Sequence, residues 1–142
     1  MSVDGALSLF LGTWKTRYTD VSATAPIAIP IEATAAFRRE GDLLRYSADI
    51  VYPDGKTSQI ETTFQADGQP YPLVGSLIGD SVSFQQTNRH TLVATATRKG
   101  VLSGTVSSSI SNDGFTMTSR YEVFLSDGKS VTYRTVGDRQ PG

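Results

Sequence analysis

From residue 44 to 50 the chain reads Leu-Arg-Tyr-Ser-Ala-Asp-Ile. In an extended strand Leu44, Tyr46, Ala48 and Ile50 share one face and Arg45, Ser47 and Asp49 the other, the period of a strand buried on one side. The same alternation returns along the chain. Ile60, Thr62 and Phe64 oppose Gln59, Glu61 and Thr63, and Leu102, Gly104, Val106, Ser108 and Ile110 oppose Val101, Ser103, Thr105, Ser107 and Ser109. Phe115, Met117, Tyr121 and Val123 oppose Thr116, Thr118, Arg120 and Glu122, and Val131 with Tyr133 opposes Thr132 and Arg134. Adding Trp14 to Thr19, Ile29 to Arg38, Val82 to Gln86 and Thr91 to Arg98 predicts about nine strands. Helix is confined to Asp4 to Phe10, where Asp4 is placed to cap one short turn before the first strand.

Between the strands, turn signals recur: Glu40-Gly41-Asp42, Pro53-Asp54-Gly55-Lys56, Asp67-Gly68, Lys99-Gly100, Asn112-Asp113-Gly114 and Asp127-Gly128-Lys129. Asp-Gly supplies the positive φ of tight hairpins, so consecutive strands are antiparallel neighbours. An open meander of this length would leave two unpaired edges. Closure removes them, and the predicted fold is all-β, an antiparallel up-and-down barrel of about 8–10 strands with a short N-terminal helical turn. A sandwich is the alternative. Two long connections interrupt the rhythm: Val21 to Pro30, rich in Ala and Pro, and Gln69-Pro70-Tyr71-Pro72-Leu73-Val74-Gly75, whose prolines cannot donate to a central ladder and which is expected to cross an end of the barrel.

Length and charge narrow the function classes. At 142 residues, 1–142 reads as a single domain able to bury its own core. Thirteen basic against fourteen acidic residues, net charge -1, give no broad attraction to nucleic acid or to an anionic membrane. Cysteine is absent, which removes disulfides, thiolate metal sites and thiol nucleophiles. The apolar patch Ala6 to Leu11 has no basic flank and is too short to span a bilayer. The N-terminus therefore reads as mature protein, cytoplasmic as it stands, or periplasmic or secreted if a leader has been removed.

The only tryptophan, Trp14, follows that apolar patch in Leu11-Gly12-Thr13-Trp14-Lys15 and opens the first alternating run. Together with a long first connection, a meander with Asp-Gly turns and a last strand ending in Gly137-Asp138-Arg139, Gly12-Thr13-Trp14 resembles the calycin superfamily, the lipocalins and fatty-acid-binding proteins. The Asp54-Gly55-Lys56 turn, the segment Ala66-Asp67-Gly68-Gln69-Pro70-Tyr71-Pro72-Leu73-Val74-Gly75 and the closing Asp138-Arg139-Gln140 are similar to small bacterial lipocalin-like proteins of unknown function. The resemblance implies that Trp14 plugs the closed end of the barrel, with an arginine of the last strand, Arg139 first and Arg134 second, stacked over the indole. It departs from fatty-acid-binding proteins where their Arg-x-Tyr carboxylate grip would lie. Here Thr132-Tyr133-Arg134-Thr135 turns Tyr133 inward and Arg134 outward, and Arg120 falls opposite Tyr121.

The inward face mixes sizes. Phe37, Phe64, Phe84, Ile110 and Phe115 mark strand ends, while Ala33, Ala35, Ala48, Thr62, Ala94, Ala96, Gly104, Ser108 and Ser119 lie mid-strand. Small residues at similar heights leave room for one small ligand, although alternating sizes also fill the taper of a small barrel completely. The candidate ligand-binding residues are Tyr46, Ala48, Phe64, Phe84, Ala94, Met117, Tyr121 and Tyr133, the tyrosines offering hydroxyls and Met117 an adaptable wall. They suit a small apolar or aromatic molecule with few polar groups.

Catalytic residues and cofactors are not indicated. His90 is the only histidine and lies in a turn-like Asn88-Arg89-His90-Thr91, with no partner for a triad and no second imidazole for a metal. Asp54, Asp67, Asp113 and Asp127 read as turn formers and not as calcium ligands, and Asp49 and Glu61 as surface charges beside Arg45. The preferred function is a non-enzymatic binding or carrier barrel with no metal. The alternatives are an isomerase-, cyclase- or lyase-type enzyme on the same scaffold, and a filled barrel acting through its Ser- and Thr-rich outer face.

Overall fold

The computed structural model describes residues 7–19 and 29–141. Ten strands follow in order: β1 (Gly12–Thr19), β2 (Glu32–Glu40), β3 (Leu43–Val51), β4 (Thr57–Phe64), β5 (Tyr71–Pro72), β6 (Ser81–Asn88), β7 (Thr91–Arg98), β8 (Val101–Ile110), β9 (Thr116–Phe124) and β10 (Ser130–Arg139). They form one antiparallel sheet ordered β4-β3-β2-β1-β10-β9-β8-β7-β6-β5. The pairing of β1 with β10, Trp14 opposite Arg139 through Thr19 opposite Arg134, joins the two ends of the chain and curls the sheet into a nearly closed barrel. Asp4, and with it the expected cap, lies outside the described residues, as does most of the Val21 to Pro30 connection. Leu7 to Phe10 form a single turn in which the Phe10 N–H donates to the Leu7 carbonyl at 3.0 Å.

The hairpins follow the turn chemistry. In three of them, and in the turn after β4, an aspartate carboxylate accepts the N–H two residues on, Asp54 from Lys56, Asp113 from Phe115 and Asp127 from Lys129, and Asp67 from Gln69, each within 3.0 Å. The glycine next to each aspartate takes positive φ.

Three features depart from the expected pattern. The 69–75 segment does not cross an end of the barrel but completes its wall: Tyr71 and Pro72 pair with Val82 and Ser81, and Val74 exchanges two 3.0 Å hydrogen bonds with Glu61 of β4. Pro72, with no N–H of its own, lies opposite Ser81, and the next residue carries the pairing on, the Leu73 N–H donating to the Asp80 carbonyl at 3.0 Å. Second, Ala96 pairs with Gly104 but Thr97 with Leu102, so Ser103 is an extra, bulged residue. The bulge reverses the alternation, leaving Leu102 exposed at the barrel rim instead of inside. Third, Phe115 is 63% exposed, because the Asp113 carboxylate accepts its N–H and holds it in the β8–β9 turn before the strand begins.

Burial divides the interior by height. At one end Leu7, Phe10, Trp14, Phe37, Leu44, Phe64, Phe84, Leu92, Ile110 and Met117 form a solid apolar floor. Toward the other end lie two smaller groups, Ala33, Ala35, Ala48 and Ile50 on one wall and Val123, Val131 and Tyr133 on the other.

Candidate functional site

Trp14 is fully buried in the floor, its indole N–H donating to the Phe10 carbonyl at 3.0 Å. Arg139, and not Arg134, stands over it: the guanidinium carbon lies 4.3 Å from the ring centroid. The same guanidinium donates to the carbonyls of Leu9, Leu11 and Gly114, tying the N-terminal turn and the β8–β9 hairpin to the last strand. Gly12 makes room for it. With φ of 126° and a position where a Cβ would meet Arg139 Nη1 at 2.8 Å, this residue is restricted to glycine. Arg134 is exposed on the outer face, directly opposite Arg120.

Above the floor the barrel holds a cavity of about 120 Å³, of the order of engineered cavities that admit one benzene-sized molecule. Its wall is mostly apolar. Phe37, Val82, Phe84, Leu92 and Met117 give it bulky apolar walls, Ala33, Ala35, Ala94 and Ala96 leave it room, and Tyr18, Tyr46 and Tyr121 bring phenols to it. Leu73, Ser76 and Ile78 enter from the segment that fills the gap between β4 and β6. Five of the residues singled out for ligand contact, Tyr46, Phe84, Ala94, Met117 and Tyr121, line this space.

The other three do not. Phe64 is fully buried and stacked on Phe84, with centroids 3.9 Å apart, below the cavity. Ala48 packs in the wall with Ala33, Ala35 and Ile50. Tyr133 is buried with its ring stacked on Tyr121, at 4.7 Å and 12° between planes, and beside Tyr18 at 5.6 Å. All three have inward parity, but parity says nothing of height along the barrel. Tyr18 was not among the candidates, although counting by twos from Trp14 through Thr16 would have found it. Leu73 and Ile78 carry no periodic signal at all.

The polar groups of the cavity are hydroxyls. Ser108 and Ser119 satisfy each other at 2.7 Å across β8 and β9, and Thr16 donates to the Ala33 carbonyl at 3.0 Å. Thr62, 4% exposed, has a buried hydroxyl with no hydrogen-bond partner. Among the described residues, none that lines the cavity carries a formal charge. Burial dominates the tyrosine titrations: it pushes Tyr121 up to about 12 and holds Tyr18, Tyr46 and Tyr133 still further above the ordinary phenol value. In these last three, repulsion among neighbouring phenolates adds to the effect.

Elsewhere, His90 Nδ1 lies 3.1 Å from the Ile110 carbonyl, and its backbone N–H donates to Asn88 in a turn. Arg45 pairs with Glu61, and Gln59 donates to Asp49, on the outer face. No group of His, Cys, Asp or Glu among the described residues is placed to hold a metal ion, and no described helix is long and apolar enough to cross a membrane.

No protein-family model matches the chain, and no curated protein is significantly similar in sequence. Among solved structures it is similar to a zebrafish ileal bile acid-binding protein crystallised with cholic acid, at 13% identity, with a TM-score of 0.58 over 93% of this chain and 99% of that one. The likeness is one of fold, a nearly closed antiparallel β-barrel.

Proposed function

We propose that this protein is a non-enzymatic binding or carrier barrel for a small, mostly apolar molecule, with residues 1–142 acting as one domain of the bacterial lipocalin-like kind that the sequence resembles. One observation carries the reading: a largely apolar cavity above a solid floor, in a fold whose structural neighbour was crystallised with a small amphipathic molecule. Tyr46, Phe84, Ala94, Met117 and Tyr121 are the proposed contacts, with Trp14 and Arg139 as closure of the barrel. The lining favours binding over catalysis, because its titratable groups are phenols that burial keeps protonated and that are poorly suited to general-base chemistry near neutral pH.

The test is uptake of an apolar fluorescent probe, with native mass spectrometry of the purified protein to detect anything that travels with it. Ala94→Phe and Ala96→Phe fill the cavity from β7 and should abolish uptake while leaving the fold intact by circular dichroism. Undiminished uptake in both variants sinks the interior site and moves the function to the outer surface.

A further inference from the structure

The binding reading leaves the chemistry of the ligand open, and the polar groups of the cavity narrow it. Several of its hydroxyls are already engaged: Ser108 with Ser119, and Thr16 with the Ala33 carbonyl. Thr62 is not, its Oγ1 buried and unpartnered. A buried hydroxyl without a partner forfeits the hydrogen bond it would make in water, so it points to a partner that arrives with the ligand.

Register brings a second donor close. Tyr46 is directly opposite Thr62 in the β3–β4 ladder, and both line the cavity. From the far wall come Tyr121 and Tyr18, stacked in an aromatic group with Tyr133. Among the described residues the hydroxyls of Tyr18, Tyr46 and Tyr121 have no hydrogen-bond partner. A phenol is a better donor than acceptor, and an ionised one would be costly here, as the upward shift of all four tyrosines shows. The same burial penalises a ligand carboxylate, which would find no cation among the lining residues described.

Resting on the binding reading above, we infer that the cavity takes an uncharged molecule about the size of a substituted benzene ring, whose single accepting oxygen is held by Thr62 and the hydroxyl of Tyr46 or Tyr121. The volume of about 120 Å³ sets the size, and the phenols and Thr62 set the polarity.

Three probes of similar shape test this: acetophenone, benzoate and isopropylbenzene, titrated into the whole protein at about pH 8, where benzoate is fully ionised, with affinities read from backbone amide NMR shifts. Acetophenone is expected to bind at least about tenfold more tightly than benzoate. Thr62→Val, which keeps the shape and removes the hydroxyl, is expected to weaken acetophenone by about three- to tenfold, the value of one hydrogen bond, and to leave isopropylbenzene within about twofold. Tyr121→Phe and Tyr46→Phe repeat the test should Thr62→Val misfold. Benzoate binding as tightly as acetophenone, or equal losses for acetophenone and isopropylbenzene in the variants, overturns the inference and leaves the binding reading standing. No uptake of any of the three overturns both.

Discussion

Truncating Trp14 to alanine tests the structural logic of the closed end. The side chain is fully buried. An aromatic of this size buries roughly 200 Å², which at about 25 cal/mol per Å² is an upper bound of about 5 kcal/mol. Truncation of large aromatics in cores costs about 3–5 kcal/mol once the cavity is included. Two further losses act in the same direction: the Phe10 carbonyl loses its indole donor, and Arg139 loses the ring beneath it. A total of about 4 kcal/mol is expected, a large fraction of the 5–15 kcal/mol typical of a folded domain. Because Trp14 is the only tryptophan, unfolding of the variant has to be followed by circular dichroism in urea. Trp14→Phe, which keeps most of the apolar contact, should cost about 2 kcal/mol and remain folded if the alanine variant does not. A double-mutant cycle with Arg139→Ala should return a coupling of about 1–2 kcal/mol for the stacked pair. A loss below about 1 kcal/mol in Trp14→Ala, with unchanged dependence on urea, would mean that the indole is no plug.

Two other consequences can be measured. Gly75 has φ of 84° and sits where a Cβ would lie 1.9 Å from the Gln59 carbonyl oxygen, so Gly75→Val should detach Val74 from Glu61, destabilise the fold by about 2–3 kcal/mol and speed amide exchange at both residues; exchange unchanged from wild type would show that this segment does not close the wall. Stability should also fall steeply in alkali. Tyr18, Tyr46, Tyr121 and Tyr133 have folded pKa values raised by burial above the unfolded value near 10, so the folded state keeps protons that the unfolded state releases. Their stabilisation is whole below about pH 10 and is lost as pH rises, through about 12 for Tyr121 and beyond for the others, by up to about 1.4 kcal/mol per pH unit for each tyrosine. Phenolate absorbance of these four should therefore appear together with unfolding, and titration of all four near 10 with the fold intact would refute their burial.

The strands were legible because alternation over four or more residues reports which face is buried, as for Leu44 to Ile50, and because Asp-Gly turns permit little besides an antiparallel hairpin. Two failures have local causes. Leu102 was read as internal because a one-residue bulge at Ser103 is invisible to a count by twos, and Phe115 because nothing in its type shows that Asp113 holds it in a turn. The site was half legible for a different reason. Parity selects Phe64, Ala48 and Tyr133 as readily as Phe84, Ala94 and Tyr121, but whether an inward residue faces a cavity or a packed layer depends on its height and on what arrives from the opposite wall.

By itself, then, the sequence determined an all-β antiparallel meander with a buried tryptophan near its start, because strand period and turn conformation are local properties of neighbouring residues. Tertiary structure decided the rest. The β1–β10 pairing closes the sheet, and the 69–75 segment is spliced into the wall between β4 and β6. Thr62, Tyr46 and Tyr121 line one cavity because closure brings residues up to 75 positions apart in sequence to one space, a proximity that no local pattern encodes.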